Sequence, residues 1–191
     1  MFDDGYVTFY NHTYVHNTTY NELKKVKSFC NDDTIICVGG GATKNKDILT
    51  LVSCGNCNQI LTNTSINSTV LVNGAYWYMK SNYSFGFSPN KNILQYYADS
   101  YDCLLNNNNK YICNDNKRLS WHLTEITGGW RIGSISGLNS SPDYRKYIFL
   151  KDFNHRNRSI TTKIKPNNQP TSTGVQTTLV PQGKYIRIIL K

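Results

Sequence analysis

The chain has 191 residues, 39% of them hydrophobic and 17% charged; Lys and Arg outnumber Asp and Glu by 21 to 12, a formal net charge of +9. That length suits one domain with an appendage and is short for two. No apolar run approaches the roughly 20 residues of a membrane-spanning helix, and 14 Tyr, 7 Phe and 3 Trp supply enough ring surface for a core to exclude wholesale disorder.

Taken in chain order, Gly5 to Tyr10 alternates as a short strand. Thr19-Tyr20-Asn21-Glu22 is a capping box, in which the Thr hydroxyl and the Glu carboxylate each satisfy a free backbone amide. It opens one amphipathic helix to about Phe29, with Leu23 and Val26 facing inward. From there the signals are β, with strand-like runs at 34–38, 48–53, 59–62, 69–72, 75–79, 84–87, 119–123, 130–134 and 144–150. Gly39-Gly40-Gly41 lacks the Lys-Ser/Thr of a phosphate loop and reads as a turn. Asn73-Gly74 between two runs is a strong hairpin signal, because both turn positions need φ > 0. Many short strands separated by turn residues predict a mainly β fold, an antiparallel β-sandwich or jelly roll with one short N-terminal helix.

Six cysteines stand at Cys30, Cys37, Cys54, Cys57, Cys103 and Cys113. An even count in a small chain rich in Asn and Thr fits an oxidised, extracellular protein. Cys54-Gly55-Asn56-Cys57 has half the spacing of a zinc knuckle, but Cys30 and Cys37 do not supply the second half, so disulfides are favoured over metal. Cys103 and Cys113 flank the loop Leu104 to Ile112 and read as a local clip. The other four cysteines allow three pairings; if 34–38 and 48–53 form a hairpin, Cys37 faces Cys54 and Cys30 faces Cys57. Seven Asn-x-Ser/Thr sequons occur, at Asn11, Asn17, Asn63, Asn67, Asn82, Asn139 and Asn157, against about four expected by chance at this composition. With paired cysteines they favour a secreted, N-glycosylated chain. Met1-Phe2-Asp3-Asp4 is not a secretion signal, since no apolar region follows, so this reading requires that a signal has been removed.

The charge is unevenly placed: residues 1–150 carry 13 basic and 11 acidic side chains, whereas 151–191 carry 8 and 1. The expected organisation is a disulfide-stapled sandwich over 1–150, a basic Thr/Pro/Asn-rich linker over 151–183, and a C-terminal strand over 184–191. The basic residues of the tail stand singly without interleaved aromatics, so a nucleic-acid partner is not favoured. In the last segment Tyr185 precedes Ile186, Ile188 and Leu190, which share one strand face. A strand this apolar must be covered. It can return to its own sheet or insert into a neighbouring subunit; the 18 residues of 166–183, fully extended, reach at most ~60 Å, and a 150-residue body is roughly 40 Å across. Head-to-tail strand donation that does not close on itself makes a filament.

No catalytic set emerges. Ser120 and His122 share a strand face, with Asp99 or Asp102 as candidate orienters, but residues two apart on a strand are poorly angled for a triad, and a structural histidine is favoured. Asp99, Asp102, Asp115 and nearby asparagines offer oxygens for Ca²⁺; the expectation is nonetheless no cofactor and no metal. Gly128-Gly129-Trp130-Arg131 either stacks a sugar or closes a sandwich corner, with packing favoured. Trp77, Tyr78, Trp121, Trp130 and Arg131 are the candidate carbohydrate contacts.

Cys37-Val38-Gly39-Gly40, Val52-Ser53-Cys54-Gly55-Asn56-Cys57, Gly74-Ala75-Tyr76-Trp77, Ser84-Phe85-Gly86-Phe87-Ser88-Pro89, Arg118-Leu119-Ser120-Trp121-His122, Gly128-Gly129-Trp130-Arg131 and Leu138-Asn139 resemble a loosely defined group of secreted, lectin-like β-sandwich domains. The resemblance covers about residues 5–150 and implies no catalytic residues. The layout of sandwich, linker and terminal strand is similar to subunits of extracellular glycoprotein fibrils joined by strand exchange. The sequence therefore points to a non-enzymatic, structural subunit that polymerises with copies of itself through Lys184–Lys191, with a secreted carbohydrate-binding module as the alternative.

Overall fold

A computed structural model describes residues 5–44, 48–65, 68–89, 91, 104–105, 111–112, 117–124, 128–135 and 137–151. In chain order these form β1 (Val7–Thr13), α1 (Tyr20–Lys27), β2 (Ile35–Ala42), β3 (Leu51–Asn56), α2 (Cys57–Ile60), β4 (Val70–Val72), β5 (Ala75–Lys80), β6 (Ser84–Ser88), β7 (Leu104–Leu105), β8 (Tyr111–Ile112), β9 (Leu119–His122), β10 (Gly129–Ile132), a 3-10 turn (Leu138–Ser140) and β11 (Tyr144–Lys151). The fold is mainly β. One antiparallel sheet has the order β1-β11-β2-β3 and the other β10-β9-β6-β5-β4, while β7 and β8 pair separately. This agrees with the expected β-sandwich.

Period-two alternation decides what lies between the sheets. Trp77 and Met79 on β5, Phe85 and Phe87 on β6, and Leu119 and Trp121 on β9 are cross-strand partners and join Ile36, Val38, Ile148 and Leu150 of the first sheet in one core. Each such side chain contributes on the order of 1.5–3 kcal/mol by leaving water, so this layer dominates stability. Tyr147 and Phe149, one residue out of phase, pack on the other face of the first sheet with Cys37, Val52 and Leu49.

The capping box forms as expected: the Glu22 N–H donates to Thr19 Oγ1 at 3.2 Å and the Thr19 N–H to Glu22 Oε2 at 2.6 Å. Leu23 and Val26 are buried on the inner face of α1. The Asn73-Gly74 turn has φ of 48° and 77°, as the β4–β5 hairpin requires. Two disulfides join Cys37 to Cys54, which are direct partners across β2 and β3, and Cys30 to Cys57. Cys54 and Cys57 are thus bonded to different partners: Cys54 lies within β3, and Cys57 opens α2.

Two local expectations are overturned. The run expected as a strand at 59–62 is in part the helical turn α2, because the Asn56 side chain accepts from the Gln59 N–H at 3.1 Å and caps it. Gly39-Gly40-Gly41 is not a turn but the middle of β2, paired with β11 along its whole length. The reason is crowding: a Cβ would meet Leu51 O at 2.7 Å from Gly39, Ile132 Cδ1 at 2.7 Å from Gly40, and Ile48 O at 2.5 Å from Gly41. Strand spacing there leaves no room for a side chain.

Candidate functional site

Where β1 ends, the chain turns through Tyr14 to Thr19 into α1, and β11 lies alongside. His12 of β1 is the register partner of Lys146. The Tyr14 N–H donates to Tyr144 O at 2.9 Å and the His16 N–H to Thr13 O at 3.1 Å. These bonds fix the turn, so His12, Tyr14, His16, Thr18 and Glu22 converge on one corner of the sandwich.

The inner part of this corner is a sealed polar network. Lys146 shares the phase of Ile148 and Leu150 and points into the core with no solvent exposure. Its Nζ donates to His16 O at 2.6 Å and Thr18 Oγ1 at 2.5 Å, and lies 5.9 Å and 5.8 Å from the ring centres of Tyr14 and Trp121. Burial drives the Lys146 ammonium down from 10.5 to about 7, against a smaller opposing pull from Glu22. The Trp121 Nε1–H donates to Tyr14 Oη at 3.0 Å, and the Tyr14 hydroxyl donates to Arg131 O at 3.1 Å. Tyr10 Oη and Thr18 Oγ1 share a hydrogen bond of 2.7 Å. Burial raises both tyrosines above their ordinary values, the Thr18 bond pulling Tyr10 the other way. An amine without access to solvent cannot meet a substrate, so this network supports the corner rather than reacting.

The outer part is open. The His16 and Glu22 side chains are 37% and 29% exposed, with His16 Nε2 3.1 Å from Glu22 Oε1. The His12 and His16 rings stack at 3.9 Å with an interplanar angle of 16°. Burial, followed by the neighbouring His16 ring, lowers His12 below the ordinary imidazole value. For Glu22, burial acts upward, but hydrogen bonds from the Thr19 amide, His16 and the Thr19 hydroxyl outweigh it and hold the carboxyl below its usual range. One ligand atom from each of His12, His16 and Glu22 lies within 4.8 Å of the others.

The residues expected from the sequence to touch sugar are distributed differently. Trp77, Tyr78 and Trp121 are at most 1% exposed and Arg131 is 3% exposed, which corrects their assignment as surface contacts. Cross-strand pairing aims the two Trp rings between the sheets. Trp130 alone is half-buried, stacked on His122 at 6.5 Å. Gly128 and Gly129 serve packing: a Cβ on Gly129 would lie 2.6 Å from the Tyr14 ring, and one on Gly128 would collide with Tyr14 O. Ser120 and His122 are both buried.

Of the sequon asparagines, Asn11, Asn63 and Asn82 are exposed and Asn17 and Asn139 half-buried. Asn67, Asn157, Cys103, Cys113, Asp99, Asp102, Asp115 and the terminal strand with Tyr185, Ile186, Ile188 and Leu190 lie outside the described residues. Sequence reasoning missed Lys146 and the His12, His16 and Glu22 cluster. The signal for Lys146 was present, as it stands two and four residues before Ile148 and Leu150 on the same strand face. No protein family, characterised protein or solved structure compared with the chain matches it.

Proposed function

We propose that this chain is a secreted, N-glycosylated structural subunit that polymerises head-to-tail, its C-terminal strand Lys184–Lys191 pairing with the sheet of a neighbouring copy. The observation that supports this is the β1 edge. Among the described residues β1 has a strand partner, β11, on one side only, and it presents Val7 and Phe9 at 57% and 39% exposure. Phe9 packs at 4.7 Å against Phe29, itself 60% exposed. An open strand edge beside an apolar surface is a template for strand addition, in which main-chain hydrogen bonds give affinity and alternate side chains set register. Ile186, Ile188 and Leu190 have the spacing to supply such side chains.

The two disulfides suit an oxidising, extracellular compartment, and the exposed Asn11, Asn63 and Asn82 suit glycan attachment. Among the described residues no helix is long and apolar enough to cross a membrane. The carbohydrate-binding alternative gains no observation, because the core takes most of its aromatic candidates.

The experiment is electron microscopy and light scattering of the purified chain with and without residues 184–191, together with Phe9→Lys. Filaments that vanish in both variants while a folded monomer remains support the reading. Monomers throughout, or filaments indifferent to both changes, overturn it.

A further inference from the structure

We propose that His12, His16 and Glu22 form a binding site for one divalent transition cation of the Zn²⁺ type, on the open corner between β1 and α1. Ligand atoms at about 2.0–2.2 Å from one tetrahedral Zn²⁺ stand roughly 3.3–3.6 Å from each other. His16 Nε2 and Glu22 Oε1 are already 3.1 Å apart, and all three ligand atoms lie within 4.8 Å. Coordination requires the half-buried His12 ring to turn out of its stack on His16 and close the remaining gap.

The carboxylate is held for this role. Glu22 Oε2 accepts from both the Thr19 N–H at 2.6 Å and the Thr19 hydroxyl at 3.0 Å, which leaves Oε1 directed at His16. Such outer partners orient a ligand before the metal arrives. The His12 ring lies against Tyr10 at 4.6 Å, tilted by 58°, and faces the His16 ring at 3.9 Å, which keeps it beside the other two ligands. The 37% and 29% exposure of His16 and Glu22 gives an ion a path from solvent and leaves the remaining coordination positions to water.

The surroundings select the class of ion. Two imidazoles and one carboxylate suit Zn²⁺ and its neighbours, whereas Ca²⁺ takes six to eight oxygens. The positive groups nearby work against ions held by charge alone. Lys146 Nζ donates to the His16 carbonyl at 2.6 Å, and Arg145 Nε donates to Asn11 Oδ1 at 2.7 Å on the same strand as His12. Directional nitrogen coordination is required, and the site provides it. This site does not depend on filament formation and can stand or fall separately.

The test is isothermal titration of the EDTA-treated full chain with Zn²⁺, and separately with Ca²⁺, alongside imidazole NMR of the four histidines, His12, His16, His122 and His155. The expected result is one Zn²⁺ per chain, no Ca²⁺ binding, and at least tenfold weaker Zn²⁺ binding in His12→Ala, His16→Ala and Glu22→Gln. Glu22→Gln keeps the capping box, since a glutamine carbonyl still accepts from Thr19, so circular dichroism should be unchanged. In the wild-type spectrum only His12 and His16 should move on adding Zn²⁺. No stoichiometric Zn²⁺ binding, affinity indifferent to the histidine variants, or shifts at His122 or His155 instead would overturn the site.

Discussion

Lys146→Met removes an ammonium group from a position with no solvent exposure while keeping an unbranched stem to pack against Tyr14 and Trp121. Folding lowers the amine from 10.5 to about 7. Between those values the unfolded chain binds a proton that the folded chain does not, so wild-type stability rises with pH by about 1.36 kcal/mol per pH unit. From pH 7 to 9.5 the gain is about 3 kcal/mol; below about pH 6 both states are protonated and the dependence levels off. Four titrating neighbours move away from this window: His12 and Glu22 are held below their ordinary values, and Tyr10 and Tyr14 above theirs. The variant loses two hydrogen bonds, to His16 O and Thr18 Oγ1, at about 1 kcal/mol each. Against a charge-burial cost near 4 kcal/mol at pH 7, Lys146→Met should therefore be about 2 kcal/mol more stable at pH 7 and level with wild type near pH 9.5. Urea unfolding followed by tryptophan fluorescence, in EDTA, at pH 6 to 9.5, measures both slopes. A wild-type midpoint that stays flat across pH 7–9.5, or a variant with the wild-type slope, would refute the reasoning.

Replacing both Cys37 and Cys54 by alanine should cost about 3 kcal/mol, and replacing both Cys30 and Cys57 about 3.5 kcal/mol, from sequence separations of 17 and 27; denaturant midpoints give the costs, and a non-reducing peptide map should recover the two pairs intact from wild type. Gly128→Ala places a methyl against Tyr14 O and should destabilise by about 1–3 kcal/mol. An unchanged melting temperature would show that the Tyr14 turn has room to yield.

Much of the strand layout was legible because its signals are local. The capping box at Thr19 and Glu22, the Asn73-Gly74 hairpin and the alternation of β5, β6 and β11 are all decided within a few residues. The cysteine pairing followed from one hairpin hypothesis, which the β2–β3 ladder satisfies. The triple glycine misled because a run of glycines usually marks a turn; here three neighbours crowd the strand, and none is adjacent in sequence. The tryptophans misled in the opposite way. A large ring beside an arginine suits a sugar surface equally well until strand pairing sends it inward.

Composition and spacing by themselves determined a mainly β chain with paired cysteines and a capped N-terminal helix, since backbone preference and periodicity act over short distances. Only the tertiary structure decided that Lys146 lies sealed beneath Thr18 and His16, residues 128 and 130 positions away, and that two histidines and a helix-capping glutamate meet at one corner. Burial and convergence of this kind depend on which strands become neighbours, and that is settled by packing across the whole core.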